Sequence, residues 1–192
     1  MTDPPTDDPS REGLFSFLSR RRFLKVSLVA GGAVLGAGGG GLLMLRGSAP
    51  KVEGLQLLDA HEYRTLQSLV EVMLPRTDAI PVDVASMDLP REFDAFLANE
   101  PEHNVKDLRK ALVLIEFGPL VFDKKVTTFS RLDPLERTAH WNAWASSESL
   151  LRRQVSVAMR KFFNLVYFDH EVVWPHIGYP GPSLNRQGGA TP

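Results

Sequence analysis

The chain has 192 residues, and its 22 Lys and Arg nearly balance its 23 Asp and Glu, which gives a formal net charge of −1. This balance argues against a nucleic-acid-binding surface, because neutralising phosphates needs clustered positive charge. The chain has no cysteine, which excludes disulfides, c-type haem attachment, cysteine-ligated iron–sulfur clusters and a thiol nucleophile.

The N-terminal part of the chain has the pattern of an export signal. Paired arginines stand before Phe-Leu-Lys in the segment Ser19-Arg20-Arg21-Arg22-Phe23-Leu24-Lys25. An uncharged, glycine-rich run follows from Val26 to Leu45, and its ~20 residues are enough to cross a bilayer as a helix. Paired arginines ahead of a mildly apolar run are typical of the bacterial twin-arginine signal. Because that pathway carries folded proteins, we expect the rest of the chain to fold before export.

The sequence leaves open whether this leader is removed. Gly47-Ser48-Ala49 has small residues at the spacing of a cleavage site, but Pro50 follows directly and is unfavourable after a scissile bond. We expect export by the twin-arginine pathway to the periplasmic side of the inner membrane, where residues 26–45 form an anchor if they are retained. A simple inner-membrane anchor without twin-arginine export, and a soluble protein with a basic, glycine-rich tail, are the alternatives.

Composition divides the chain into four parts. Residues 1–49 hold the signal and the apolar run, and residues 50–58 form a linker punctuated by Pro50 and Gly54. Residues 59–182 form the domain, which is long enough to bury a core of its own. Residues 183–192 are expected to form a flexible tail.

The first helix of the domain is predicted from Asp59 to about Leu74, where Pro75 ends it. Asp59 can cap the free amides while Glu62 reaches back, which predicts a capping box. Four further helices are predicted from caps and apolar spacing. They are a short helix capped by Asp88, one from about Val105 to Leu114, one that begins at Asp133-Pro134, and one from about Ser149 to Phe168.

The predicted fold class is all-α, an irregular bundle of about five helices after an N-terminal export or transmembrane segment. The sequence contains no convincing β-hairpin. Residues 121–128 have some strand propensity, but two lysines interrupt it, and we expect a loop or a helix end there. The segment from Trp174 to Pro182 is expected to be rigid and non-helical. The core face of the last helix is predicted from helical spacing as Leu151, Val155, Ala158, Phe162 and Leu165.

Few residues suggest chemistry of their own. The cluster of potential metal ligands is Asp169, His170, Glu171 and His176. Its spacing is not that of a helical zinc motif, which needs histidines four apart, and polar capping of the last helix is the simpler interpretation. The other histidines are scattered and are expected at the surface or at caps: His61, His103 and His140. Without a nucleophile elbow or a dinucleotide-binding glycine loop, no catalytic residue is predicted.

Aromatic residues are crowded in the C-terminal third of the chain. Most are expected in the core, whereas Tyr167, Trp174 and Tyr179 are expected on the surface. Because protein interfaces favour aromatic side chains and arginine, these three are candidates for contact with a partner.

Two segments of the domain resemble the gluconate 2-dehydrogenase subunit 3 family, over roughly residues 58–182. One is Leu74-Pro75-Arg76-Thr77-Asp78, which follows an amphipathic helix. The other, more specific one is the closing Trp174…Ile177-Gly178-Tyr179-Pro180-Gly181-Pro182. Ala79-Ile80-Pro81 departs from the Thr-Pro-Gly-Ala that family members often carry there, which affects the local turn more than the assignment. The expected partner-facing residues are Arg76, Tyr167, Trp174, Tyr179, Pro180, Gly181 and Pro182.

The resemblance implies a non-catalytic small subunit of a bacterial FAD-dependent dehydrogenase of the glucose-methanol-choline type. In such complexes the large subunit holds the flavin and oxidises a sugar, sugar acid, polyol or other alcohol, and a multihaem cytochrome c subunit often takes the electrons. The small subunit supplies the export signal and helps the large subunit mature. The expected partners are therefore the flavin-bearing subunit, the cytochrome and the twin-arginine translocase, with no cofactor in this chain.

Two other functions remain open from the sequence. One is a stand-alone periplasmic metal-binding protein or enzyme that uses His170, Glu171 and His176. The other is a membrane-anchored binding module that has no flavoenzyme partner.

Overall fold

The computed structural model describes residues 45–74 and 76–182. The export signal from Ser19 to Lys25, the apolar run up to residue 44, Pro75 and the tail after residue 182 lie outside the described residues. All regular secondary structure within them is helical, so the predicted all-α class is confirmed. No helix in this part of the chain is both long and apolar enough to cross a membrane.

From residue 60 onward, the described part of the chain forms seven α-helical segments and two 3₁₀ turns. Helix α1 contacts α2, α3 and α5, while α6 contacts α2 and α5. The 3₁₀ turns are Val84–Ser86 and Phe129–Arg131. The helices are α1 (Ala60–Met73), α2 (Leu89–Leu97), α3 (Glu102–Glu116), α4 (Gly118–Asp123), α5 (Pro134–Ala145), α6 (Leu150–Tyr167) and α7 (Trp174–Ile177).

Aromatic rings join several helices within a core whose other members are mostly leucine and other aliphatic residues. Phe93 of α2 packs against two phenylalanines of α6, with ring centroids 4.4 Å from Phe162 and 5.4 Å from Phe163. On α5, Trp141 and Trp144 have ring centroids 5.5 Å apart, and both are buried. Because the chain has no cysteine, this packing holds the domain together, at about 1.5–3 kcal/mol for each large side chain that is buried.

Two helix starts agree with the sequence prediction. Asp59 accepts hydrogen bonds from the amides of His61 and Glu62, and the Glu62 carboxylate accepts from the Asp59 amide at 2.8 Å, which completes the capping box of α1. Asp133 caps α5 in the same way by accepting from two amides of its first turn. Each cap contributes about 1 kcal/mol.

The start of α2 differs from the prediction. Asp88 precedes this helix, but its side chain makes no capping hydrogen bond. Its carboxylate instead accepts from the Tyr63 hydroxyl at 2.7 Å and from Arg91 Nε at 2.8 Å. These partners occupy both carboxylate oxygens, and the backbone of Asp88 is left-handed, with φ 43°.

The core face of α6 also differs from the prediction at one position. Leu165 is exposed, so its assignment to the core is wrong. The buried side of α6 includes Met159, Phe162 and Phe163. Leu165, three residues after Phe162, is exposed near the C-terminal end of the helix.

The closing segment is not wholly non-helical as predicted. Residues Trp174–Ile177 form a single helical turn that ends at Gly178, whose φ is +69°. Pro175 is compatible with this turn because the first residues of a helix leave their amides without intrahelical partners.

Candidate functional site

The segment after α6 folds back on itself around Trp174. The indole of Trp174 donates from Nε1 to the Phe168 carbonyl at 2.9 Å, and the Tyr179 ring lies edge-on to it at 5.2 Å. Gly181 has φ +90°, and a Cβ atom at this position would lie 3.3 Å from the Trp174 ring. Glycine is therefore favoured here both by its backbone conformation and by the close approach of the ring.

Exposed apolar side chains lie along α6 and in the segment that follows it. Leu150 and Val157, seven residues apart, share one side of the helix, Leu165 is exposed near its C-terminal end, and Phe168 is its C-cap residue. The next exposed large apolar residues along the chain follow the helix, and all seven are between 38 and 55 % exposed. Exposed apolar residues that form one contiguous patch mark interaction sites, so we take these residues together as a candidate contact surface. This outer apolar surface consists of Leu150, Val157, Leu165, Phe168, Val172, Ile177 and Tyr179.

The residues predicted to face a partner are not all on the surface. Tyr167 is only 5 % exposed, so the prediction that it lies at the surface is wrong. Its ring packs next to Phe168 with centroids 5.3 Å apart, and burial raises the pKa of its hydroxyl. Trp174 and Gly181 are partly covered by each other. The other predicted residues are exposed: Arg76, Tyr179, Pro180 and Pro182.

The structure does not bring the four potential metal ligands together. Among the described residues, no three His, Asp or Glu side chains are placed to hold a metal ion. His170 has another partner, since its Nε2 lies 2.7 Å from Glu92 Oε2. This contact connects the segment after α6 to α2. Asp169, Glu171 and His176 do not form a metal-binding group with His170.

His140 is buried on α5, which contradicts its predicted place at the surface or at a cap, and both of its ring nitrogens have partners. The Trp144 Nε1 group, which can only donate, lies 3.0 Å from Nε2, so Nε2 accepts and carries no proton. The proton is on Nδ1, which donates to Asp123 Oδ2 at 2.5 Å. Burial lowers the pKa of His140. The neutral imidazole therefore joins α4 to α5 and has no free nitrogen for acid–base chemistry.

A cleft of about 270 Å³ lies between α1 and the start of α2, next to Tyr63 and Asp88. Burial and the hydrogen bond to the Asp88 carboxylate raise the pKa of Tyr63 to about 12. Small-molecule sites are usually about 300–1,000 Å³ in volume, so this cleft is small for a substrate.

Residues 45–58, ahead of α1, lie against the domain and are named here the strap. Asp94, which is 1 % exposed, accepts hydrogen bonds from the strap amides of residues 56, 57 and 58. The predicted linker, residues 50–58, is therefore bound to the domain at its C-terminal end. Four arginines donate to strap carbonyls: Arg131 to Leu45 at 3.0 Å, Arg64 to Arg46 at 3.2 Å and to Ser48 at 3.5 Å, Arg91 to Glu53 at 2.6 Å, and Arg109 to Leu57.

One of these arginines is positioned by a buried carboxylate. Glu116 of α3 is 1 % exposed, and it accepts from the hydroxyl and the amide of Ser130 at 2.7 and 3.1 Å. The Thr65 hydroxyl lies 3.1 Å from the same carboxylate. The Ser130 hydroxyl oxygen in turn accepts from Nε and Nη2 of Arg64 at 3.1 and 3.0 Å. These four residues form the Glu116 network.

Sequence reasoning missed both the Glu116 network and the neutral histidine. One signal for the histidine was present, because His140 and Trp144 are four residues apart and therefore share a helix face. No local pattern marks the Glu116 network, since Thr65 is 51 positions from Glu116 and Ser130 is 66 positions from Arg64.

No family model, curated protein or solved structure matches the chain.

Proposed function

We propose that this chain is the accessory subunit of a FAD-dependent dehydrogenase of the glucose-methanol-choline type, and that it takes the large subunit through the twin-arginine pathway. Two sequence features support the proposal: the signal from Ser19 to Lys25, and the closing Gly178-Tyr179-Pro180-Gly181-Pro182, which resembles gluconate 2-dehydrogenase subunit 3. The large subunit supplies FAD and oxidises the alcohol, sugar or sugar acid. A multihaem cytochrome c accepts the electrons.

The outer apolar surface is the structural observation that carries the proposal. Helix α6 buries one side against α2 and α5, yet Leu150, Val157 and Leu165 of the same helix, and Phe168 at its end, remain exposed. Exposed apolar side chains on a helix are stabilised when a partner covers them. Arg160 and Lys161 lie exposed on the same helix and offer positive charge beside this surface. We infer that the large subunit covers it.

The division of labour fits the chemistry of the described side chains. His140, the buried histidine, has both ring nitrogens engaged by Asp123 and Trp144, and His170 is bound to Glu92. We therefore propose that this chain exports and supports the large subunit, and that the flavin of the large subunit carries out the redox chemistry.

Capture of the tagged chain from its own cells tests this proposal, with the absorption spectrum of the captured complex as the readout. Flavin bands, together with c-type haem bands, are expected for the unmodified chain. The double variant Val157→Glu/Leu165→Glu should lower the captured flavin at least about tenfold, because it buries charge in an apolar contact.

The matched control is Val126→Glu/Leu135→Glu. It adds the same charge at apolar positions that are 76 and 85 % exposed and lie outside α6, and it should keep the flavin bands. Flavin that remains bound to the α6 variant, or a captured unmodified complex without flavin, would contradict the proposal.

Export is tested separately with Arg20→Lys/Arg21→Lys. Both subunits should then stay in the cytoplasm, because the twin-arginine signal needs its arginine pair. A large subunit that still reaches the periplasm would overturn the export role.

The same measurements separate the other functions. A captured partner without flavin or haem would favour a membrane-anchored binding module. Stoichiometric metal in the purified chain, lost on His170→Ala or His176→Ala, would favour a metalloprotein.

A further inference from the structure

The bond at which the leader would be cut lies within the strap. The small residues Gly47-Ser48-Ala49 would precede the cut, and Pro50 would follow it. The backbone is bound at this point, because Arg64 donates to the carbonyls on both sides of Gly47, those of Arg46 and Ser48, at 3.2 and 3.5 Å.

The backbone around this bond is also not extended. Gly47 has φ +64°, in the left-handed region, and Arg131 donates to the Leu45 carbonyl two residues earlier at 3.0 Å. Proteolysis depends on whether the affected backbone is free or hydrogen-bonded, and a bound segment is cut only when it opens. A peptidase therefore has to detach the strap from Arg64 and Arg131 before it can hydrolyse the bond after Ala49.

Arg64 is held in position before the strap binds to it. Its Nε and Nη2 groups both donate to Ser130 Oγ, and that hydroxyl donates to the buried Glu116. An arginine that is already oriented loses less conformational freedom when it binds the strap. Because the twin-arginine pathway exports folded proteins, these contacts are in place before the chain meets a signal peptidase.

We propose that Arg64, supported by the Glu116 network, withholds the Ala49–Pro50 bond from signal peptidase, so that the leader is retained and residues 26–45 anchor the exported complex in the inner membrane. The proposal rests on the export role proposed above and concerns what happens to the signal after export. Arg131 binds the last residue of this anchor, Leu45, and Arg64 binds residues 46 and 48, which directly follow it. The face of the domain that carries Arg64 and Arg131 therefore lies toward the membrane surface.

Pro50 is itself an obstacle to cleavage, so the test is made in a Pro50→Ala background. In cells that make the whole complex, the exported Pro50→Ala chain should keep its N-terminal leader when its mass is measured. Pro50→Ala/Arg64→Ala should be shortened to begin at residue 50. Arg64→Met, which keeps the aliphatic stem, is the second variant in case Arg64→Ala does not fold.

The matched control is Pro50→Ala/Arg91→Ala. This variant removes another arginine that binds a strap carbonyl, that of Glu53. Because Glu53 lies on the C-terminal side of the bond that would be cut, the leader should remain. The proposal is overturned if the Pro50→Ala chain is already cut, or if the Arg64 variants are exported and folded but remain uncut. A chain that is not exported at all contradicts the export role instead.

Trypsin treatment of the purified full chain tests the same contact without export. Trypsin cuts after Arg46, next to the proposed site, and the Arg64→Met chain should be cut there about tenfold faster than the unmodified chain, because the strap opens more often. Arg91→Ala should leave this rate unchanged. Equal rates at Arg46 for all three chains would refute the role of Arg64 whatever the outcome in cells.

Discussion

Glu116 and Arg64 are joined through a single hydroxyl group. Ser130 Oγ donates to Glu116 Oε1 at 2.7 Å and accepts from Arg64 Nη2 at 3.0 Å. The buried carboxylate needs donors because burying it without partners is unfavourable. Ser130 meets that need and at the same time orients Arg64, whose remaining donors reach the strap. A residue in the interior of the domain thus determines how the chain is held where it enters the domain.

Glu116→Ala is expected to destabilise the domain by about 3 kcal/mol. The change leaves the hydroxyl and the amide of Ser130 without their acceptor, whereas the Thr65 hydroxyl keeps the His61 carbonyl at 2.9 Å. Each unpaired buried group costs about 1–3 kcal/mol before the site relaxes. The free energy of unfolding in urea measures the effect. Glu136→Ala is the control, because the ion pair of Glu136 with Lys125 is exposed and its loss should cost less than about 1 kcal/mol. Equal effects of the two changes would contradict the structural role of Glu116.

The stability of the chain is expected to fall as the pH drops below about 6.5, the ordinary pKa of histidine. Burial lowers the pKa of His140 in the folded state, so below that pH the unfolded chain binds a proton that the folded chain does not. The stability that His140 contributes in this way is fully present above the ordinary pKa of histidine, and it is lost as the pH falls toward the pKa of His140 in the folded state. Protonation would also place an N–H on Nε2, facing the indole N–H of Trp144.

Urea midpoints of the unmodified chain and of His140→Gln, compared at about pH 7.5 and about pH 5.5, check this dependence. The unmodified chain should lose more stability between the two pH values than the variant. Burial raises the pKa of Glu62, which acts in the opposite direction, but this group is common to both chains and cancels in the comparison. The same loss in both chains would show that His140 does not contribute.

Phe162→Ala and Leu165→Ala are expected to differ strongly although both residues lie on α6. Phe162 is buried against Phe93 and Phe96, with ring centroids 4.4 and 5.3 Å away, and its truncation should cost about 3–5 kcal/mol. Leu165 is 52 % exposed, and its truncation should cost less than about 1 kcal/mol in the isolated chain. Urea unfolding measures both values. A large loss for Leu165→Ala would mean that this residue belongs to the core.

The helix starts show how far local pattern carries a prediction. Asp59 with Glu62, and Asp133 ahead of Pro134, both act as predicted, since a cap and its amides are only two or three residues apart. Asp88, which precedes a helix with Pro90 in its first turn, was also predicted to cap that helix, and this prediction is wrong. Its carboxylate is taken by Tyr63, which is 25 positions away, and a sequence pattern holds no information about a partner at that distance.

By itself the sequence determined the all-α class, the starts of α1 and α5 and most of the buried face of α6, because caps and helical periodicity depend on residues within one turn of each other. Only the tertiary structure decided that Leu165 lies outside and Tyr167 inside, that His140 is neutral between Asp123 and Trp144, and that Glu116 supports Arg64 through Ser130. These outcomes depend on how helices rotate against one another and on contacts up to 66 positions apart. Such contacts form only when the whole domain packs.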